Sequence, residues 1–311
     1  MMDDKKLNNE TVIKLADEIG FELVGFSKAE ILNREIEQLE NWLGKNYHAG
    51  MSYMERNIEK RKDVGKILKN AESVISLAVN YYNEGNFSRN GNYGKVSRYA
   101  WGKDYHFIMW DMLENLTNRL KEIDEGFESV YYVDTGPVMD KVWAVKGGIG
   151  WMGKHSNIIN KNFGSWLFIG EIITNYKFSY YEPVPDLCGT CTACIEACPT
   201  DAIVEDYVID SNKCISYLTI ENKDEIPSEF LGKFENWIFG CDICQDVCPW
   251  NKKFSRQTRL DEFRKIENIE LNIDEVLRMD NKQFKSRFKE SPIYRAKLKG
   301  LQRNAEFIRK K

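Results

Sequence analysis

All eight cysteines of this 311-residue chain fall between Cys188 and Cys248, and nothing else in the sequence constrains its fold as strongly. Cys188, Cys191, Cys194 and Cys198 are separated by two, two and three residues, with Pro199 after the last. Cys241, Cys244 and Cys248 follow with gaps of two and three and Pro249 behind them, while Cys214 stands alone between the runs. Gaps this short oblige a loop to aim several sulfurs at one spot. The longest apolar runs, residues 74–79 and 166–174, are far shorter than the roughly 20 residues of a membrane span, and Glu171 interrupts the second. The opening residues lack the apolar stretch of a secretory signal. A cytoplasmic setting without membrane contact is expected. Stable disulfides are rare there, so the thiols are expected to hold metal.

The first run has the spacing of bacterial ferredoxins. Three close thiolates hold one face of an iron–sulfur cube, and the chain carries the fourth, before proline, to the other cluster. That crossing rule places one 4Fe-4S cluster on Cys188, Cys191, Cys194 and Cys248. The second falls to Cys198, Cys214, Cys241 and Cys244, and no cysteine is left over. Structural zinc would favour two clean C-x2-C pairs per site without the repeated Cys-Pro. The chain therefore moves single electrons.

The cysteines divide the chain into residues 1–175, a cysteine-free α and β region; 176–251, the double-cluster module; and 252–311, a helical tail. The tail holds 18 lysines and arginines against 9 acidic residues, whereas the rest of the chain holds 26 against 39. A basic segment on an acidic body points to an anionic partner such as nucleic acid. Phe254, Phe263, Phe284, Phe288, Tyr294 and Phe307 lie among those charges at spacings expected of helix core contacts.

In the first zone, apolar periodicity predicts helices over 11–20, 30–43, 105–120 and 138–146, and strands over 73–79, 129–133, 157–159 and 166–174. The last two strands are expected to complete one sheet. There is no regular βαβ rhythm, so the fold class is α+β. Gly148, Gly150 and Gly153 formally match a dinucleotide fingerprint, but the stretch follows a helix and opens none. Asp134, at a strand end before a Gly-Pro turn, is the best acid candidate, and Asp140 is expected on a helix surface. His48, His106 and His155 are too scattered to make a metal site by spacing.

Several stretches taken together carry a specific resemblance: GMSYMERN at 50–57, RYAWGKDYH at 98–106, VDTGPVMD at 133–140 and GIGWMGK at 148–154. The cysteine pattern, with CPTDAI at 198–203 and CPWN at 248–251, completes it. The chain resembles the epoxyqueuosine reductases, cobalamin-dependent iron–sulfur enzymes of tRNA modification, from near its start to about Arg303. It looks like a short form without their C-terminal helical repeats. The resemblance implies a nitroreductase- and reductive-dehalogenase-like cobalamin-binding core with a ferredoxin-like module beside it. It implies base-off cobalamin, two 4Fe-4S clusters, tRNA with a GUN anticodon as substrate and queuosine as product. An external electron donor of ferredoxin or flavodoxin type and a monomeric state are expected. Asp104 and His106 are similar to the start of a cobalt-ligating histidine motif, but Met109 stands where that motif needs glycine, so no histidine on cobalt is expected.

Carried over by position, Asp134 matches the proton donor, and Tyr105 and His106 match residues near the substrate. Asn57, Ser97, Asp134, Ile158, Ile169, Ser216, Lys223 and Asp242 match positions around the corrin. Reducing an epoxide to an alkene takes two electrons and protons that end in water, so an acid is needed where the oxygen gains charge. Burial against the corrin is expected to raise the Asp134 pKa and keep it protonated for that role. Arg295, Lys297, Lys299 and Arg303 are the candidate phosphate contacts. The alternatives are a corrinoid-dependent reductase of a small molecule, a ferredoxin-type electron carrier, or a nucleic-acid-binding module with structural clusters.

Overall fold

The structure, a computed structural model, describes residues 7–310. Its centre is a four-stranded antiparallel sheet in the spatial order Leu23–Lys28, Ser73–Asn80, Leu167–Thr174, Ser129–Tyr132. Every residue of Ser73–Asn80 is buried, as befits a strand covered on both faces. Side chains alternate across a strand. Ile75, Leu77 and Val79 therefore join Phe168 and Ile172 beneath helices Asn9–Ile19 and Tyr105–Ile123. Val74 and Ile173 point the other way, against helices Asn33–Gly44 and Asp140–Lys146 through Ile36, Leu39 and Trp143. The two helices on the first face are capped by Asn8 and Asp104, whose side chains accept from the Thr11 and His106 amides.

Helix Asp140–Lys146 can lie close to the edge strand because two glycines meet there. A Cβ on Gly25 would stand 2.3 Å from the Gly147 carbonyl oxygen, so only glycine fits. The apolar pattern does not predict that edge strand, Leu23–Lys28, because Gly25 breaks it. The segment expected to complete the sheet forms instead a two-residue strand, Ile158–Ile159, in a separate hairpin with Trp151–Met152. The glycine-rich stretch before it leads into that hairpin rather than a helix, as expected.

A second sheet draws one strand from each of the three sequence zones. Tyr93–Val96 pairs in parallel with Trp237–Phe239 and antiparallel with Glu270–Asn272. Main-chain ladders therefore tie the cysteine-bearing segment and the tail to the N-terminal region. The tail packs by its aromatics: Phe284, Phe288 and Phe307 enter one core with Leu301 and Ala305, and Phe263 enters the core under the central sheet. In the cysteine module, Cys194 and Cys244 lie in the short helices Ala193–Glu196 and Ile243–Asp246. Cys248 precedes helix Pro249–Phe254, whose first position suits proline because no helical N–H is lost there. Among the described residues, no helix is long and apolar enough to cross a membrane.

Candidate functional site

Strand Ser129–Tyr132 delivers Asp134 to a tight turn with φ 44°, a left-handed conformation that aspartate tolerates better than most residues. Across from it, helix Tyr105–Ile123 opens with two polar side chains on the same carboxyl. Tyr105 Oη donates to Asp134 Oδ2, and His106 Nε2 lies 2.8 Å from Asp134 Oδ1. The other ring nitrogen, His106 Nδ1, lies 2.7 Å from Oδ1 of the cap residue Asp104. Tyr105 is fixed by stacking on Phe168, with ring centroids 4.3 Å apart and planes 6° from parallel.

The electrostatics follow from these contacts. Burial alone would lower the His106 pKa, but hydrogen bonds to Asp104 and Asp134 and their charges outweigh it and raise it to about 9. Burial and the Asp134 charge hold the Tyr105 phenol well above its ordinary value, so it remains an O–H donor. The protein does not itself bury Asp134, whose side chain is 52 % exposed. The structure puts Tyr105 Oη on one oxygen of this carboxyl and the His106 ring on the other.

Behind this loop lie two acids whose burial the sequence did not reveal. Asp140, expected on a helix surface, has Oδ1 buried without a hydrogen-bond partner, and burial together with the Asp134 charge raises its pKa to about 7. Glu171 is fully buried, paired in register with Ser76, whose hydroxyl donates to Glu171 Oε2 at 2.7 Å. Burial, then the Asp140 charge, holds Glu171 well above the ordinary carboxylate range. Arg61 is the counter-charge felt by Asp140, and its guanidinium is anchored on the carbonyls of Arg56, Val138 and Tyr53.

The cysteines are free thiols. Their mutual repulsion runs mostly within two sets, with one cross-influence between Cys194 and Cys244. Burial raises the Cys194 pKa to about 11, with added repulsion from Cys248, Cys188 and Cys191. Burial likewise raises Cys244, with repulsion from Cys214 and Cys198 and, more weakly, from Cys194. Cys241 is raised by burial and by Cys244 and Cys214. Eight thiols held as two quartets fit two cubic clusters by their donor chemistry. Among the described residues no three of His, Cys, Asp and Glu converge as on a single metal ion.

The second quartet and the Asp134 loop face a common region. Lys141 Nζ donates to the Ser156 carbonyl and to Asn157 Oδ1 at 2.8 and 2.9 Å. The residue is exposed to solvent, and Nζ lies among the opposing charges of Cys244, Asp140, Asp134 and Cys214.

The remaining expected residues scatter around this seam. Ile158 and Ile169 share one apolar cluster with Met152. Ser97 and Asp242 are both buried and turned to each other, the Ser97 hydroxyl donating to Asp242 Oδ1 and the Arg98 amide to Oδ2 at 2.8 Å. Asn57 holds a left-handed φ of 58° before helix Ile58–Lys62, Ser216 lies on helix Ile215–Ile220, and Lys223 is exposed in the loop after it. Arg295 forms a two-pronged pair with Glu221, at 2.8 and 3.1 Å, and the charge of Asp134 reaches it. Lys297 sits 4.4 Å from the Tyr294 ring centroid, and Lys299 is exposed. Arg303, expected on phosphate, instead donates at 2.7 to 2.8 Å to the carbonyls of Asn222, Asp224 and Leu218 beside the end of helix Ile215–Ile220.

An α+β core that presents a carboxylate–histidine–carboxylate chain beside two cysteine quartets defines an iron–sulfur oxidoreductase. Residues 187–251 match the family model for a 4Fe-4S double cluster binding domain, and residues 61–135 match the model described as epoxyqueuosine reductase QueG, DUF1730. Epoxyqueuosine reductase of Leadbetterella byssophila is 50% identical over 297 residues, covering 94% of this chain and 96% of the relative. That of Cyclobacterium marinum is 45% identical over 303 residues, covering 97% of each. A crystal structure of epoxyqueuosine reductase with a tRNA-Tyr epoxyqueuosine-modified stem loop superposes with a TM-score of 0.90 at 32% identity, covering 96% of this chain and 80% of that one. The chain belongs to the epoxyqueuosine reductase family.

Proposed function

We propose that this chain reduces the epoxide of epoxyqueuosine to the alkene of queuosine at the wobble position of tRNA with a GUN anticodon. The observation that carries this reading, beyond family membership, is the Asp134 carboxyl between Tyr105 Oη and His106 Nε2, at the seam shared with the second cysteine quartet. The reaction takes two electrons and two protons and releases the epoxide oxygen as water. Asp134, half exposed on a turn, hands a proton to the oxygen, and His106 Nε2 restores it from a ring kept protonated by Asp104 and Asp134. Tyr105 Oη holds the other carboxyl oxygen, which fixes the direction of transfer.

Cys188, Cys191, Cys194 and Cys248 would hold one 4Fe-4S cluster and Cys198, Cys214, Cys241 and Cys244 the other. Base-off cobalamin fits the seam in a core of nitroreductase and reductive-dehalogenase kinship: Ile158 and Ile169 offer an apolar wall and Lys141 a cation among acids. Asn57, Ser97, Ser216, Lys223 and Asp242 complete the proposed corrin contacts with Asp134. Bound there, these cofactors supply one-electron transfer and a strongly reducing cobalt. Lys297, Lys299 and Arg295 are the proposed phosphate contacts, an outside one-electron carrier the donor, and a monomer in the cytoplasm the working form.

The test is anaerobic reconstitution with iron, sulfide and cobalamin, followed by mass analysis of the wobble nucleoside in epoxyqueuosine-containing tRNA. Queuosine should appear with the wild-type chain. Turnover by Asp134→Ala close to wild type would remove Asp134 as the acid, and no queuosine from the fully loaded wild type would overturn the reading.

A further inference from the structure

The two cysteine quartets occupy an order in space. The second shares its surroundings with Lys141 and Asp134, and Cys244 feels Cys194 of the first. The first quartet faces outward. Gly189, Thr190 and Thr192, between its cysteines, are exposed, and Leu187 beside Cys188 is 43% exposed. Tyr207, 39% exposed, donates its hydroxyl to Asp186 on the other side of Leu187, and the Cys188 charge reaches its ring. Leu187 and Tyr207 therefore form an apolar spot over the outer quartet.

The segment that bears that spot carries one sign of charge. Residues 178–212 contain no lysine or arginine, yet include Glu182, Asp186, Glu196, Asp201, Glu205 and Asp206. Lys154 is buried and pairs with Asp206 at 3.0 Å, and Lys45 pairs with Glu205 at 3.5 Å, so these two cations are already engaged by the segment's own acids. Helix Pro249–Phe254 abuts the spot, Trp250 Nε1 donating to the Leu187 carbonyl at 3.4 Å, and its Lys252 and Lys253 are the exposed cations against which the acids are weighed.

We propose that this face receives a protein electron donor whose own redox edge is ringed by basic residues. The inference rests on the reductase reading for its purpose, since each docking delivers one of the two electrons the epoxide consumes. The donor's redox centre is oxidised by one electron and the outer cluster is reduced by one. A small apolar contact on an acidic segment suits a brief encounter steered by charge, of the kind seen in transient redox complexes. It also sharpens the expectation of a ferredoxin- or flavodoxin-type donor: a carrier with an acidic edge is repelled here.

The experiment runs the transfer in reverse and needs neither tRNA nor turnover. The cluster-loaded holoprotein is reduced with dithionite, freed of excess reductant and mixed in a stopped-flow instrument with ferricytochrome c, a lysine-rimmed one-electron acceptor. A parallel series uses an oxidised flavodoxin with an acidic edge. Cluster absorbance is followed in both. The rate with cytochrome c should fall about 10-fold between low and high salt, as steered encounters do, while that with flavodoxin should stay flat or rise. Glu182→Gln combined with Glu196→Gln and Asp206→Asn should slow the cytochrome c reaction several-fold at low salt only, with direct dithionite reduction unchanged. Asp186 is left in place because it accepts the Cys188 amide at 2.8 Å. A salt-independent cytochrome c rate, a faster low-salt reaction with flavodoxin, or an unaltered variant overturns the docking face. Should the variant lose its clusters, the two wild-type salt series still decide. A chain that passes this test but makes no queuosine would lose the reductase reading and keep the docking face.

Discussion

His106 Nε2 stands 2.8 Å from Asp134 Oδ1, and the same ring reaches Asp104 through Nδ1 at 2.7 Å. One imidazole is thus held between two carboxylates, which favours its protonated form. A nuclear magnetic resonance titration of the cofactor-free protein should find His106 near 9 and move it down toward the ordinary histidine value in Asp104→Asn. The sign for stability follows. A histidine whose folded pKa is raised stabilises the fold fully below its unfolded pKa, about 6.5. That contribution disappears as pH rises from there through about 9. Wild type and Asp104→Asn should therefore differ in urea midpoint at pH 6 and converge by pH 10. A His106 titration at the unperturbed position would remove the ring as the proton store.

Asp140 carries the opposite linkage. Its folded pKa is raised to about 7 by burial and by Asp134, so the folded chain holds a proton that the unfolded chain releases above about 4. Native stability is eroded between those two values as pH rises. Asp140→Asn removes the erosion while keeping the shape. The variant should gain on the order of 2 kcal/mol relative to wild type between pH 5 and pH 8, given 1.36 kcal/mol per unit and a group that is only partly shielded from water. Denaturant midpoints at the two pH values check this, and an equal difference at both would rule out the linkage.

What could be read from sequence, and what could not, divides by the range of the interactions. The runs 188–198 and 241–248 are local geometry, so their spacing alone suggested two interlocked quartets. Asp134 was legible because a strand end before a Gly-Pro turn is a short-range pattern. The burial of Asp140 was not, because the neighbours that matter, Glu171 and Arg61, arrive from distant segments and helix spacing says nothing of them. The strand Leu23–Lys28 escaped because Gly25 looks like a breaker until Gly147 is seen against it. The tail's positive charge was plain in the composition, but the groups that its cations meet were set by the fold.

The quartet assignment can be tested by pairing cysteine replacements within and across the two sets. Cys191 and Cys248 lie 57 positions apart, yet the Cys191 charge reaches Cys248. Cys191→Ala and Cys248→Ala should each retain about four irons after anaerobic reconstitution, and so should the double variant, because only one cluster is touched. Cys248→Ala combined with Cys244→Ala should retain almost none, although those two cysteines are close neighbours in sequence. Iron analysis with electron paramagnetic resonance of the reduced proteins distinguishes the patterns. Loss of both clusters in the Cys191 and Cys248 pair would mean that the quartets are drawn wrongly.

Arg303 separates structural from electrostatic roles in the basic tail. Its guanidinium reaches three main-chain carbonyls at 2.7 to 2.8 Å next to helix Ile215–Ile220, which follows Cys214. Arg303→Ala leaves those carbonyls short of donors, and the expected cost is roughly 2 kcal/mol of stability. Lys297 and Lys299 are exposed, and neither is tied to a carbonyl in this way. Their joint replacement by alanine should leave the urea midpoint within about 0.5 kcal/mol of wild type. It should reduce the salt dependence of tRNA binding by between one and two in the log–log slope, roughly 0.7 to 0.9 for each phosphate that is no longer neutralised. Arg303→Ala should change the slope little once measured under conditions where the variant is folded. A steep drop in slope for Arg303→Ala, with none in the lysine pair, would place the phosphate on the residue that the fold has already engaged.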